Sequence, residues 1–410
     1  MIKKLVCLLL ILGLIVPLEG CWSRREINEL AIVLAAGVDS TPDGKILLTV
    51  QIARPSSFGG GESGQSGAGG PQQNNLWVIS QTGETVYDAI RLLETKVSRH
   101  LYWGHIVILV FGEQIAREGI RKAFNFFTRS PGARETVWVL VARGDAKEVL
   151  NSHSQLETTS AQGIGAMIRA GVGVPVMLKD FSLMLAGKGI NPVLPRVELT
   201  ASGTPQGPGM KENIPEANNE PQHGTQTHAE ITITGAGVFN DDRLVGWLDT
   251  MEASGLLWLA DRMKKAEITF PSPTDPDNHF SVCIYRSTTE VEPFYDGQNI
   301  WFDVKMSMDA ELWEEQSQEK ITEPQIFAAI EKSLTRRVEQ ISRAVLEKAQ
   351  QDYGVDIFGF GDVWHRKYPR QWHTLKDRWN EEFADADVRI SLQVHIRRTG
   401  LTTNRVSRED

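Results

Sequence analysis

The sequence predicts a multi-domain α+β protein: mixed β-sheets with packed helices, and one long amphipathic helix in the C-terminal domain. Three observations carry this. In the first half, two extended apolar runs precede an alternation of helical and extended periodicity. Two polar stretches rich in glycine and proline, 55–75 and 201–228, interrupt the pattern. From Glu323 to Tyr353, apolar residues recur at steps of three and four, a helix about 46 Å long at 1.5 Å per residue. A chain of 410 residues has material for two or three domains.

The N-terminal residues set the compartment. Lys3 and Lys4 precede Leu5 to Leu18, an uncharged run shorter than the roughly twenty residues of a spanning helix, so 1–20 reads as a signal peptide. It ends in Leu18-Glu19-Gly20-Cys21, the lipobox pattern of bacterial lipoproteins, with Glu19 where a small residue is usual. Cys21 is therefore the expected lipid-attachment residue; the alternative is an ordinary secretory signal in which Cys21 is incidental. With Cys7 removed and Cys21 acylated, Cys283 is the sole remaining thiol and no internal disulfide can form. Its run, Phe280 to Tyr285, reads as a buried strand.

An N-terminal α+β domain is expected over 21–200, with a flexible glycine-rich loop at 55–75. Glu29–Val38 and Lys45–Ala53 read as a hairpin across Thr-Pro-Asp-Gly. Thr82 is placed to cap a helix carrying Val86, Ala89, Ile90, Leu93 and Val97. His105–Phe111 and Glu135–Ala142 read as buried strands, Gln114–Phe127 as a helix, and Asp145 as the start of a short helix. The loop at 55–75 lacks the lysine and following helix that phosphate cradling requires.

After a linker at 201–228, a middle domain is expected over 229–290 and a C-terminal α+β domain over 291–410. Glu230–Phe239 and Leu244–Leu248 form a hairpin across Asn240-Asp241-Asp242, and Met251–Lys264 is helical. Strands follow at Ala266–Phe270, Phe280–Arg286 and Ile300–Ala310. The helix 323–353 has a Thr322/Gln325 capping box, Pro324 in its first turn and Gly354 beyond its end. Ile326, Ile330, Leu334, Val338, Ile341, Val345 and Ala349 form its apolar stripe, read as a core face. Val388–Arg397 alternates as a closing strand.

Composition and motifs exclude most chemistry. The formal charge is −9, and removing Lys3, Lys4 and Glu19 leaves 41 basic and 51 acidic residues, so no general basic field exists to hold nucleic acid. There is no H-E-x-x-H, G-x-S-x-G, paired C-x-x-C or EF-hand loop, and no catalytic, cofactor or metal residues are assigned. His100 and His105 read as partly buried histidines whose spacing suits a metal poorly, and Asp385 and Asp387 as a solvated strand start. One group stands out. Trp364, Trp372 and Trp379 lie within sixteen residues, interleaved with Arg366, Lys367, Arg370 and His373. Such a group suits lipid headgroups, a partner subunit or a stacked glycan, and equally a core with polar tips.

Four blocks in order carry a family resemblance. Gly20-Cys21-Trp22-Ser23-Arg24-Arg25-Glu26-Ile27-Asn28-Glu29-Leu30-Ala31 with Ala36-Gly37-Val38-Asp39 resembles the start of the Ger(x)C spore-germination lipoproteins. The second block is Gly104-His105 followed by Gly112 to Ile120; the third is Gly237-Val238-Phe239, Leu244 to Leu248 and Glu252 to Trp258; the fourth is Asp356-Ile357-Phe358-Gly359-Phe360-Gly361. The resemblance implies a non-catalytic C subunit of a nutrient germinant receptor. It implies anchoring at the outer face of the inner spore membrane, beside integral-membrane A and B subunits, and a three-domain α+β fold. The reading from another class is a solute- or glycan-binding lipoprotein of a transporter or the wall; an exported hydrolase ranks third, for want of a motif.

Overall fold

The computed structural model describes residues 26–54, 76–130, 132–152, 154, 156–201, 229–316 and 323–398. The signal peptide, Cys21, the glycine-rich loop 55–75, Thr322 of the expected capping box and all but the first residue of the linker lie outside these ranges.

The chain opens with an antiparallel pair, β1 (Leu30–Ser40) and β2 (Ile46–Ala53). Their turn closes because Gly44 adopts φ 78° and its amide donates to the Thr41 carbonyl at 2.8 Å. Next comes β3 (Leu76–Gly83), which the sequence reading missed, pairing with all of β2. Thr82 belongs to this strand and does not cap a helix. The cap of α1 (Val86–Glu94) is Thr85, whose hydroxyl accepts from the Asp88 amide at 3.1 Å. After β4 (His100–Tyr102) and β5 (Ile108–Phe111), the expected single helix over 114–127 is two. Gly119 at φ 122° separates α2 (Glu113–Glu118) from α3 (Arg121–Arg129), and the Asp242 carboxylate accepts from the Arg121 amide there. The domain continues through β6 (Trp138–Ala142), α4 (Ala146–Asn151), α5 (Ser160–Arg169), α6 (Leu178–Ala186) and β7 (Val193–Ala201).

Residues 229–290 form no sheet of their own, which corrects the expected middle domain. β8 (Ala229–Asn240) pairs antiparallel with β7, and β9 (Arg243–Leu248) with β8, so the hairpin extends the first sheet to the order β3-β2-β1-β5-β6-β7-β8-β9, with β4 beside β1. The physical reason is edge pairing: β7 would otherwise expose a row of unpaired backbone groups. Helices cover both faces. Leu109, Phe111, Val139 and Val141 pack under α1, α3 and α6, whereas Ala35, Ile108, Val110 and Leu140 pack under α4 and α5.

α7 (Thr250–Leu259) leads from this sheet into the next. Asp249 and Glu252 form a reciprocal capping box at its start, with bonds of 2.7 and 2.8 Å. The second sheet runs β10 (Ala266–Pro271), β11 (His279–Tyr295), β12 (Ile300–Glu315) and β13 (Asp387–Arg398). β13 runs parallel to β12, so the intervening chain must cross over, and it does so through the long helix. That helix is α8 (Pro324–Glu347), continued by a wide π turn to Tyr353 and ended by Gly354 at φ 60°. The stripe Ile330, Leu334, Val338, Ile341 and Val345 is buried against α7 and the sheet, a core face as expected. On β12, Phe302, Val304, Met306, Met308, Ala310 and Leu312 point to this core in strict alternation.

Leu334→Ala should lower the unfolding free energy by about 2–5 kcal/mol. Leu183→Ala, at a side chain 71% exposed, should change it by under about 0.5 kcal/mol; urea titration of both variants checks the contrast.

Candidate functional site

The fourth sequence block folds into a buried joint. Three further helices, α9 (Phe360–Lys367), α10 (Pro369–Leu375) and α11 (Trp379–Asp385), follow α8 before β13. Asp356 lies fully buried ahead of α9, and its two oxygens accept from four donors: the amides of Phe358 (3.0 Å), Gly359 (2.9 Å) and Gly361 (2.7 Å), and the Trp379 indole N–H (3.0 Å). The loop can wrap the carboxylate because Gly359 adopts φ 83°. The same loop grips the first sheet. The Asn191 amide donates to the Asp356 carbonyl at 2.6 Å, and the Asp362 amide donates to the Gly189 carbonyl at 3.2 Å. A Cβ at Gly361 would stand 2.5 Å from the Trp379 nitrogen and 2.7 Å from Gly189 Cα, so only glycine fits.

Burial dominates the Asp356 carboxyl and pushes its pKa up to about 6 despite the four donors. The same balance holds Asp39 near about 6. Burial raises it, while the Ala146 and Lys147 amides at 2.8 and 3.0 Å hold its charged form at the start of α4. A side chain at Gly112 would collide with the Asp39 carboxylate, so the first and second sequence blocks meet here. The third block meets the long helix. The Tyr353 hydroxyl bonds both the amide and the carbonyl of Trp247, at 3.1 and 2.9 Å, across the space Gly246 leaves open. Lys348 closes on Glu252 at 2.8 Å, and Gly255 lets α7 approach Ile341 and Val345.

These contacts position backbone and exclude water; none presents a nucleophile or a proton to a cavity. Among the described residues no cluster of three or more His, Cys, Asp or Glu could hold a metal. His100 and His105 are both exposed, not partly buried, because β4 lies at a sheet margin. His100 lines an open cleft with Asn28, Glu29, Glu94 and Arg99, whereas His105 stacks edge-on against Tyr102 at 5.7 Å. Asp385 and Asp387 are exposed, Asp387 pairing with Arg389 at 2.8 Å. Cys283 is buried on β11 as expected.

Trp364, Trp372 and Trp379 are buried and pack on one another at 5.4–6.3 Å between ring centroids, with Phe302 and Tyr295 closing the cluster. Their periodicity on three short helices places all three rings on the core side. Arg366, Lys367 and Arg370 alternate with them and are therefore exposed. Of the two readings left open by the sequence, the rings take the core one, under a basic rim. The exposed cation–ring contacts lie elsewhere: Lys367 sits 4.6 Å over Phe294, which stacks on Trp301 at 5.5 Å. The sequence reading missed Asp356 as a buried anchor; the two glycines within five residues after it were the available signal.

Comparison with known proteins decides the family. The profile described as spore germination protein N-terminal domain matches residues 23–199, and that described as spore germination B3/GerAC-like, C-terminal, matches residues 234–400. The chain belongs to the Ger(x)C family. Spore germination protein KC of Bacillus subtilis (strain 168) is 27% identical, across 100% of this chain and 99% of the relative. Spore germination protein B3 of the same organism is 22% identical, across 93% and 95%. The crystal structure of the GerBC protein shares the fold, with a TM-score of 0.55 and 18% identity over 88% of this chain and 96% of that one. The interlocking of Asp39 with Gly112, Trp247 with Tyr353, and Asp356 with Gly361 thus lies within a fold common to the Ger(x)C family.

The joint yields a pH prediction. Folded Asp356 holds its proton up to about pH 6, whereas an unfolded aspartate releases it near the usual 3.8. Between those values the folded state binds more protons, so stability falls as pH rises through the window. Asp356→Asn should remove about 2–3 kcal/mol of that fall, read by denaturant titration of both proteins from about pH 4 to pH 7.

Proposed function

We propose that the chain is the membrane-anchored, non-catalytic C subunit of a spore nutrient germinant receptor, working beside integral-membrane A and B subunits at the outer face of the inner spore membrane. The observation that carries this is the pair of family matches, which together run in order through residues 23–199 and 234–400. The lipobox at Leu18–Cys21 supports the anchor, and among the described residues no helix is long and apolar enough to cross a membrane. In this reading the lipid confines a rigid two-sheet body beside its partners, so that modest intrinsic affinity suffices at high effective concentration. Buried Asp356 serves the joint between the sheets, and buried Asp39 the start of α4.

A solute- or glycan-binding role has less support. The cleft beside His100 is open, and its lining residues Asn28, Glu29, Glu94, Val97, Ser98, Arg99 and His100 include no Trp, Tyr or Phe ring on which a sugar could stack.

Cys21→Ala should leave an uncleaved precursor or a released soluble protein, because two acyl chains at about 0.8 kcal/mol per buried methylene otherwise provide stable attachment. Spores carrying the variant should germinate slowly in nutrients and normally with a trigger that bypasses receptors. Membrane fractionation, mass spectrometry of the N-terminus and germination kinetics read these outcomes. Deletion of the gene with intact nutrient germination and loss of uptake of one solute would transfer the protein to the transporter class.

A further inference from the structure

We infer that the edge of the first sheet at which its parallel strands begin faces the bilayer, and that the basic rim His365–His373 meets anionic lipid headgroups there. This rests on the reading of Cys21 as a lipid anchor.

The orientation follows from register. Val38 pairs with Phe111, Phe111 with Val141, and Val141 with Arg196, all parallel, so β1, β5, β6 and β7 start at one edge of the sheet. β1 begins earlier than its neighbours: Ala35 is level with the start of β5, so Leu30 projects about 17 Å beyond the starts of β5, β6 and β7 on the same side, where the chain from Lys188 to Pro192 leads into β7. Four described residues precede Leu30, and the five-residue step from Cys21 to Glu26 spans at most about 18 Å. An anchor on Cys21 therefore holds this edge close to the membrane. The turn at Pro42 lies at the far end of β1, about 35 Å away over its eleven residues.

The joint brings the basic rim to the same edge. Three strand spacings separate β1 from β7, about 14 Å. Beside the start of β7, Gly189 accepts from the Asp362 amide in the first turn of α9. The rim begins at His365 in the last turn of that eight-residue helix, three residues or about 5 Å on along its axis.

The chemistry of the rim selects its occupant. In a chain of net charge −9, residues 365–373 hold His365, Arg366, Lys367, Arg370 and His373 and no acid. All five are exposed. The acids that face them are Asp362, whose charge acts on Arg366, and Glu292, which pairs with Lys367 at 3.3 Å. Arg370 has no acidic partner among the described residues. A protein interface takes its affinity from a desolvated apolar or aromatic centre, and here the three tryptophans that would supply one are turned into the core. The aromatic rings that adjoin the row, Phe294 and Tyr368, are half-buried and lie under Lys367, so the exposed face of the rim is cationic and suits headgroup phosphates. Its attraction falls off within a Debye length, about 8 Å at physiological salt, so the tether is what makes it effective.

The test uses the full-length lipidated protein in vesicles. Because Cys283 is buried, a single thiol introduced by Gln371→Cys takes a fluorophore selectively, and Pro42→Cys supplies the far-end control; both positions are exposed. Lipids with nitroxide headgroups are the quencher. In vesicles containing phosphatidylglycerol, the label at 371 should be quenched several-fold more than the label at 42. The difference should shrink several-fold in pure phosphatidylcholine and in an Arg366→Glu, Arg370→Glu background whose circular dichroism matches the parent, leaving only what the tether imposes. Vesicles that carry the protein with equal or no quenching at both positions would overturn the inference and leave the anchor intact. Protein that does not float with the vesicles would remove the anchor and the inference together. Quenching at 371 only after integral-membrane subunits are added would overturn lipid contact in favour of a protein partner.

Discussion

The structure depends on one buried carboxylate. A charge in a protein interior is costly unless its lone pairs are taken up, and Asp356 meets that cost with three backbone amides and an indole. The four bonds fix the chain from 356 to 361 as a tight loop, and its outer side carries the bonds to Gly189 and Asn191. The loop therefore fixes two things at once: the direction in which α9 leaves the long helix, and the seat of the second sheet on the first. With α9 set, Trp364 falls beside Tyr295 and Phe360 beside Phe302, which closes the hairpin end of the second sheet before the chain returns as β13.

Much of this was legible in the residues, for reasons that differ by element. The long helix was plain because a one-sided stripe sustained over many turns admits no other period. β12 and β13 were equally plain from strict alternation. β3 was missed because it follows a glycine-rich stretch and its sequence, Leu-Trp-Val-Ile-Ser-Gln-Thr-Gly, looks like the tail of that loop until its pairing with β2 is seen. The split of 229–290 between two sheets could not be read locally. Which edge a hairpin joins depends on the unpaired edge awaiting it, a property of β7. The face taken by the tryptophans stayed open in the sequence because three short helices joined by Pro369 and a single 3-10 turn leave no continuous period across them.

The raised pKa values of Asp39 and Asp356 illustrate how a structural group can look functional. Both sit where an enzyme would tune an acid, and both titrate near about 6. Geometry separates the cases. Each oxygen faces backbone donors, neither opens on a cavity, and a glycine within the same contact leaves no room for a substrate. Their oxygens are taken up by the Ala146 and Lys147 amides at the start of α4 and by the Phe358, Gly359 and Gly361 amides with the Trp379 indole. Family membership adds that this interlocked body is of the kind found in spore germination proteins.

Rigidity at the Asp356 loop is the central claim, and backbone hydrogen exchange tests it most directly. The account predicts that the amides of Phe358, Gly359 and Gly361 exchange only through global unfolding, as slowly as those in the middle of α8, although they lie in a loop. Exchange of the 356–361 segment at rates typical of exposed turns, with α8 still protected, would contradict it. The two sheets would then be joined chiefly by α7, α8 and the Tyr353–Trp247 contact.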